Sequence, residues 1–582
     1  MFKRRRQHLR GLAGLLGCPA AALLTAVCAA AAPAAAERIF VHGHIVTGEG
    51  LTGASPRRVS ALAVREERIV VSGTDAQALR LRGPGTEVID LQGAFVVPGF
   101  NDAHVHLAAA GLQALRTDLR GSRSLAAMLA RVQAAARSAP PGAWILGGGW
   151  DHTLWADRRL PARGDLDGIT AGHPALLERI DGHIAIANSA ALGALGVDRT
   201  VPDPRGGRID RDPSGELTGI VRDTAMVALE AKIPPPSPAQ LRRALEVATA
   251  DAVSHGLTSA QDYSSWEAFR QFESMERAHQ LPLRVSEWLT FNDPVAVLTR
   301  ERAAHPAADP RLHTGMLKGF MDGSLGSRTA ALAAPYSDAP ETSGLARYQQ
   351  PELDRMTVER ARLGFQIGFH AIGDRGVAMA LEAFAAAEAA VPQASHGQLR
   401  FRIEHDQVIA PADLGRQASL HVIASMQPSH LLTDMRWARE RLGEQRARYS
   451  YAWRSMLDHG IPLAFGTDYP VEPVTPFRGL YAAVTRRGEP GSAAAGDPAY
   501  FAAERLTPGE ALYAYTQGAA YAEGREQEKG RLVPGELADF VALDRDLLEA
   551  TPAGILQTRV LRTVVGGETV YAAARPSAGA HR

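Results

Sequence analysis

Two hydrophobic textures divide the chain. Near its start, RIFVHGHIVTG (38–48), SALAVREERIVVSG (60–73) and TEVIDLQGAFVVPG (86–99) alternate short apolar runs with glycine-containing turns, the pattern of short β-strands. The same texture returns in GRLVPGELADFVALD (530–544) and RVLRTVVGGETVY (559–571). Two such segments flanking a long middle predict one small β domain assembled from both chain ends. In the middle, apolar runs such as GMLKGFMDG, GFQIGFHAIGD, RFRIEHDQ, HVIASMQPSH and IPLAFGTDYP alternate with LARVQAAARSA, LRRALEVATADAVSHG and VAMALEAFAAAEAAV, which are rich in good helix formers. Strand–helix alternation on this scale predicts a parallel sheet with helices outside it, open or closed into a barrel. Pro/Gly-rich segments between about 140 and 240 (SAPPGAWILGGGW, VPDPRGGRIDRDPSGE, IPPPSP) read as an insertion over the mouth of that sheet.

The polar residues that interrupt the apolar runs carry the chemistry. FVVPGFNDAHVHL (95–107) ends a buried run with His104 and His106. In an extended strand residues i and i+2 share a face, so both rings can reach one point, about 2.0–2.1 Å from each nitrogen if that point is zinc. Lys318 interrupts GMLKGFM, His370 closes GFQIGFH, His405 sits in RFRIEHD, and Asp468 follows LAFGT. Singly, each has a bland explanation: a hydrogen-bonded core histidine, or an aspartate in a turn. Together they would be a costly coincidence, because buried polar groups without partners each lose several kcal/mol. In a (β/α)8 barrel the C-terminal strand ends surround one mouth, and a metal there satisfies all of them at once. The set contains no sulfur, which excludes the usual structural zinc sites and leaves N/O ligation with room for water.

The composition adds limits. The 582-residue chain is 46% hydrophobic and 22% charged, with a formal net charge of zero, so nothing points to nucleic acid or to an anionic membrane surface. The N-terminus reads as a secretory signal peptide over 1–36: basic MFKRRRQHLR, then an apolar alanine- and leucine-rich stretch, then small residues at Ala34 and Ala36. Arg5-Arg6-Gln7-His8-Leu9-Arg10 resembles the twin-arginine pattern, and Leu15-Leu16-Gly17-Cys18 is a competing lipoprotein box. Both cysteines, Cys18 and Cys28, fall in this segment, so cleavage after Ala36 leaves a mildly acidic chain with no thiol.

These stretches together resemble the amidohydrolase superfamily, in its YtcJ-like branch, which includes N-substituted formamide deformylases. PGFNDAHVHL, GGGWDHTLW, DGHIAIANSAAL, KGFMDGSLGSRTAAL, FHAIGD, RIEHDQ, SMQPSHLLTDMRWA, AWRSMLDHGIPLAFGTDYPVEP and GRLVPGELADFVALD run in family order from about residue 38 to 570. The resemblance implies an α/β fold: a distorted (β/α)8 TIM-like barrel over 99–524 beside a small composite β-sandwich domain built from 37–98 and 525–575. It implies that His104, His106 and Asp468 bind one divalent metal, and that Lys318, carboxylated by carbon dioxide, bridges to a second held by His370 and His405. A bare ammonium has no lone pair for a cation and would repel two of them, whereas a carbamate supplies oxygen ligands. The alternative is that Lys318 pairs with Asp322 and one metal binds.

The expected function is cleavage of a non-peptide C–N bond in an amide, formamide or cyclic amide by a metal-activated hydroxide, with Asp468 as general base. The cofactors are two divalent ions, zinc first and manganese, iron or cobalt as alternatives, and the carbamate on Lys318. Trp150, His183, Asp322, Arg328 and His430 are the candidate substrate-binding residues, His430 as a donor to a tetrahedral oxyanion; the alternatives are that Trp150 packs under the lid and that Asp322 and Arg328 brace their loop. The partner is a small amide-like molecule, with no nucleic acid and no membrane role beyond export to the periplasm. A homodimer stays open. A mononuclear deaminase, an ester or carbamate hydrolase, and a non-catalytic metal-binding protein are the competing readings.

Overall fold

The computed structural model describes residues 35–574 apart from 54, 181–182, 205, 307–308, 393–397 and 493. Residues 1–34 of the leader pattern, Cys18 and Cys28 among them, lie outside the described residues. Eight parallel strands form the central sheet in sequence order: β1 (Phe100–Val105), β2 (Leu257–Asp262), β3 (Arg284–Thr290), β4 (Leu312–Phe320), β5 (Ile367–Ala371), β6 (Arg402–His405), β7 (Ile423–Met426) and β8 (Leu463–Phe465). The sheet closes at its C-terminal rim. There the Asp468 N–H donates to the His104 carbonyl at 2.8 Å, the His106 N–H donates to the Tyr469 carbonyl at 2.8 Å, and Val105 bridges Tyr469 in parallel. This is the α/β barrel that strand–helix alternation and the family resemblance imply.

The helices cover the barrel because their apolar positions fall on one side. Helix Pro238–Ser254 starts from a capping box between Ser237 and Gln240 with proline in its first turn, and buries Leu241, Ala244, Leu245, Ala248 and Ala252. The barrel strands, covered on one face by helices and on the other by the barrel interior, are buried along almost their whole length.

Strands from the two chain ends meet in one sheet, where Phe540–Leu543 runs antiparallel to Phe95–Pro98. A second sheet (Arg68–Gly73, Ala61–Arg65, Arg38–Val41, Glu87–Asp90) packs against it, with the Phe40 and Phe540 rings edge to face at 4.8 Å. Phe95–Pro98 leads directly into β1, so the sandwich sits at the N-terminal end of the barrel. Arg284, at the start of β3, fastens it there through Asp539 at 2.7 Å and Glu67 at 3.0 Å.

Between β1 and β2 the chain builds a separate six-stranded sheet whose strands run from Thr117 to Asp223. It starts upstream of the Pro/Gly-rich stretch because helix Leu125–Ser138, which reads like any barrel helix, packs on this sheet instead, burying Met128 and Val132 with Ile145 and Trp150.

Candidate metal centre

At the C-terminal rim the side chains of six strands converge. His104 and His106 follow the predicted alternation at the end of β1, and Asp102, two residues earlier, shares their phase. Asp102 accepts from the His104 N–H at 3.1 Å and from the Thr467 N–H and Oγ1 at 2.9 and 2.6 Å. It thereby staples β1 to the loop that presents Asp468. Burial pushes the Asp102 carboxyl up to about 7 against these hydrogen bonds. Asp468 and His405 have φ of 60° and 73°, left-handed values that L-residues with side chains rarely adopt. Strain of this kind persists where the surrounding structure over-determines it, and here it turns both side chains inward at strand ends.

Hydrogen bonds fix which nitrogen of His104, His106 and His370 faces the centre. His104 Nδ1 lies 2.9 Å from Glu404 Oε2, leaving Nε2 toward Asp468 Oδ1 at 3.7 Å and Lys318 Nζ at 3.0 Å. His106 Nδ1 donates to the Tyr263 carbonyl at 2.9 Å, leaving Nε2 at 3.0 Å from Asp468 Oδ1. His370 Nε2 donates to the Gly323 carbonyl at 3.0 Å, leaving Nδ1. The His405 ring sits 4.5 Å from that of His370 and 5.0 Å from that of His104, and stacks on His430 at 5.8 Å. His430 Nε2 is 3.6 Å from Asp468 Oδ2. His405 Nδ1 and His430 Nε2 are buried without a hydrogen-bond partner.

Electrostatics say the same. Burial, with Lys318 nearby, drives His104 well below its usual value and His370 down to about 4, and burial beside His370 and His104 does the same to His405. These imidazoles are neutral and hold lone pairs. Burial opposes charge on Asp468, but His104, His106 and His430 hold it below the usual carboxylate range. For His106, burial is outweighed by the hydrogen bond to Asp468, which raises it. Lys318 is fully buried, and burial lowers it to about 8. A cluster of neutral imidazoles around one carboxylate, with His104, His106 and His370 each pinned by the outer nitrogen, fits a cation. His104, His106 and Asp468 form one group whose ligand atoms lie within 4.8 Å of one another, and His405, His430 and Asp468 form another.

The structure thus gathers His104, His106, Lys318, His370, His405, Asp468 and His430. It does not bring the other candidate substrate residues, Trp150, His183, Arg328 and Asp322, into this cluster. Trp150 is fully buried in the core of the inserted sheet, its indole N–H given to the Leu177 carbonyl at 2.9 Å, so it packs beneath that layer rather than facing a ligand. His183 stands at the exposed surface against Asp223 at 2.9 Å. Arg328 points outward to Asp338 at 2.7 Å. Asp322 is buried and accepts from the N–H groups of Ala331, Ile372 and Gly373 at 2.8, 3.0 and 2.8 Å, bracing the loops that follow β4 and β5. It does not pair with Lys318; the cluster residue beside it is the neutral His370 ring, whose Nε2 lies 3.6 Å away. Glu404, Asp102 and Trp288, whose ring lies under Lys318 Nζ at 5.2 Å, are site residues that the sequence did not single out. Asp102 was readable from its shared phase with His104.

Comparison with known proteins agrees with this architecture. Residues 87–571 match the model of the amidohydrolase family. The chain is 32% identical to the protein YtcJ of Bacillus subtilis (strain 168), over 88% of this chain and 96% of that one. It is 28% identical to the N-substituted formamide deformylase of Arthrobacter pascens, over 88% and 94%. Among solved structures, an uncharacterized metal-dependent hydrolase from Pyrococcus furiosus superposes with a TM-score of 0.73 at 32% identity, covering 88% of this chain and all of that one. A barrel closed around inward-facing histidine lone pairs, matched along nearly all of its length, makes this chain a member of the amidohydrolase family.

Proposed function

We propose that the protein hydrolyses a non-peptide C–N bond, in a formamide, another N-substituted amide or a cyclic amide, with two divalent ions at the barrel mouth. The observation that carries this is the convergence of His104 Nε2 and His106 Nε2 on Asp468 Oδ1, with both outer nitrogens already committed. The similarity to a formamide deformylase along 88% of the chain supports the bond type. His104, His106 and Asp468 would hold one ion, and His370 and His405 the other. Such ions, when bound, polarise a carbonyl and make water nucleophilic near neutral pH.

Lys318 is read as the bridge. Its amine, lowered to about 8 by burial, is partly neutral at physiological pH, the form that adds to carbon dioxide to give a carbamate and release one proton. The remaining steps belong to side chains. Asp468 accepts the proton of the attacking water and returns it to the departing nitrogen, so that amide and water become acid and amine. His430, its Nε2 unpartnered and 3.6 Å from Asp468 Oδ2, faces the negative charge that develops on the carbonyl oxygen. Export to the periplasm is part of the same reading and rests on the basic, apolar and small-residue order of the first 36 residues.

The test is elemental analysis of the purified protein joined to a screen of N-formyl, N-acyl and cyclic amides. Two equivalents of metal and chelator-sensitive release of amine are expected. One equivalent with ammonia release would favour a mononuclear deaminase, and esterase activity alone would redirect the bond assignment.

A further inference from the structure

Below the cluster, inside the barrel, a buried guanidinium and a buried carboxylate lie side by side, and the carboxylate reaches the mouth at His104. Arg402 and Glu404 occupy alternate positions of β6 and therefore point to one side, into the barrel interior. Both are essentially inaccessible. Arg402 Nε donates to Glu404 Oε1 at 2.8 Å and Nη2 to Oε2 at 3.2 Å, and the Ser425 hydroxyl donates to Oε2 at 2.8 Å. The other guanidinium N–H groups reach Gln261 Oε1, the Ala103 carbonyl at 2.9 Å and Ser425 Oγ at 2.8 Å. Trp288 lies over Arg402, 5.2 Å from its ring centre, and packs edge-on against His104 at 5.0 Å.

We infer that Arg402 and Glu404 are positioning residues that fix His104 as the tautomer whose Nε2 is free to bind a cation; this rests on the metal-hydrolase reading above. Glu404, surrounded by donors, can only accept, so the 2.9 Å contact requires the proton to sit on His104 Nδ1. The opposite tautomer would set a ring lone pair against a carboxylate lone pair. Gln427 Nε2 lies at 3.4 Å from the same nitrogen, a longer and uncharged contact than the 2.9 Å one to the Glu404 carboxylate. On the opposite side, Lys318 Nζ donates to Nε2 at 3.0 Å, as that tautomer demands. A ligating histidine oriented through its second nitrogen by a carboxylate is a recurrent way to set ring orientation and basicity. Here the carboxylate is in turn oriented from the barrel interior.

The arrangement predicts an unusual mutational sign. In Glu404→Gln the guanidinium claims the amide oxygen, which turns the NH₂ toward His104 Nδ1 and moves the ring proton to Nε2. Cobalt(II) titration of the metal-stripped protein, in competition with a chelator, should then show about 10–100-fold weaker binding of one ion. In Arg402→Met/Glu404→Gln the amide can turn its oxygen back to Nδ1, and roughly tenfold of the loss should return despite a second mutation in the interior. Equal loss in single and double variants, or no loss in the single, overturns the inference. If Glu404→Gln does not fold, Glu404→Asp keeps the ion pair and withdraws it from His104; unchanged cobalt affinity there also overturns it. A wild-type protein that takes up no cobalt removes the metal reading itself, and this inference with it, an outcome distinct from wild-type binding with unaltered variants.

Discussion

Each end of the barrel buries a lysine, a histidine and a carboxylate, yet the two ends satisfy them differently. At the N-terminal end, Lys529 Nζ meets Glu523 Oε2 at 2.7 Å and Ser259 Oγ at 2.9 Å, Asn101 donates to the same carboxylate at 2.9 Å, and His313 Nε2 approaches it at 3.4 Å. Lysine has its anion, and the anion has several donors. At the C-terminal end Lys318 takes part in no ion pair of the described residues; its partner is the neutral His104 ring at 3.0 Å, and lone pairs rather than protons fill the space around it. A closed network of this type holds structure together, whereas an inward cluster that its own protons cannot satisfy calls for something else to complete it.

The largest separation between the ends should appear in catalysis. Asp468→Asn keeps an oxygen for the ion and removes the proton acceptor, so kcat should fall about 10²–10⁴-fold with metal content largely retained. Near-normal turnover would take Asp468 out of the general-base role. Lys529→Met, at the opposite end, should leave kcat per folded molecule and the metal stoichiometry unchanged. If it lowers turnover in the still-folded fraction, the division of labour between the ends is wrong.

Much of the mouth could be read because strand ends are where a polar residue stands out. His104, His106, Lys318, His370 and Asp468 each break or end an apolar run, and alternation gave the first two a common face. The inserted sheet was opaque for the complementary reason. GGGWDHTLW has the glycines and polar residues of a loop over a mouth, but periodicity cannot say which of two cores a tryptophan enters, and Trp150 enters the insert's own. Glu404 was hidden by its neighbour. Adjacent strand residues should face apart, and only the left-handed φ of 73° at His405 lets both serve the same site.

Stability should separate the ends next. Lys529→Met strands Glu523 in a fully buried position, which costs about 3–5 kcal/mol when one partner of a buried pair is removed. Denaturant unfolding of metal-free protein would measure it. Removing the pair together, as Lys529→Met/Glu523→Gln, should recover part of that loss, because a neutral amide needs no cation. A Lys529→Met protein as stable as wild type would mean that the network contributes little and that the contrast between the two ends is only geometric.

The smallest effect is the most specific to Lys318. Burial lowers its folded value to about 8 from the ordinary 10.5, so between those pH values the unfolded chain holds a proton that the folded chain has released. Stability then rises with pH across that window, by up to about 3 kcal/mol in total, and the contribution is flat below it. Lys529 is also lowered, because burial outweighs Glu523, and adds its own pH dependence, so the useful quantity is the difference between wild type and Lys318→Met. Measured in metal-free, carbon-dioxide-free buffer, wild type should gain on Lys318→Met from about pH 8 to 10.5. A constant difference would show that the Lys318 ammonium is as well solvated in the barrel mouth as in water. It would then lack the partly neutral amine that carboxylation needs.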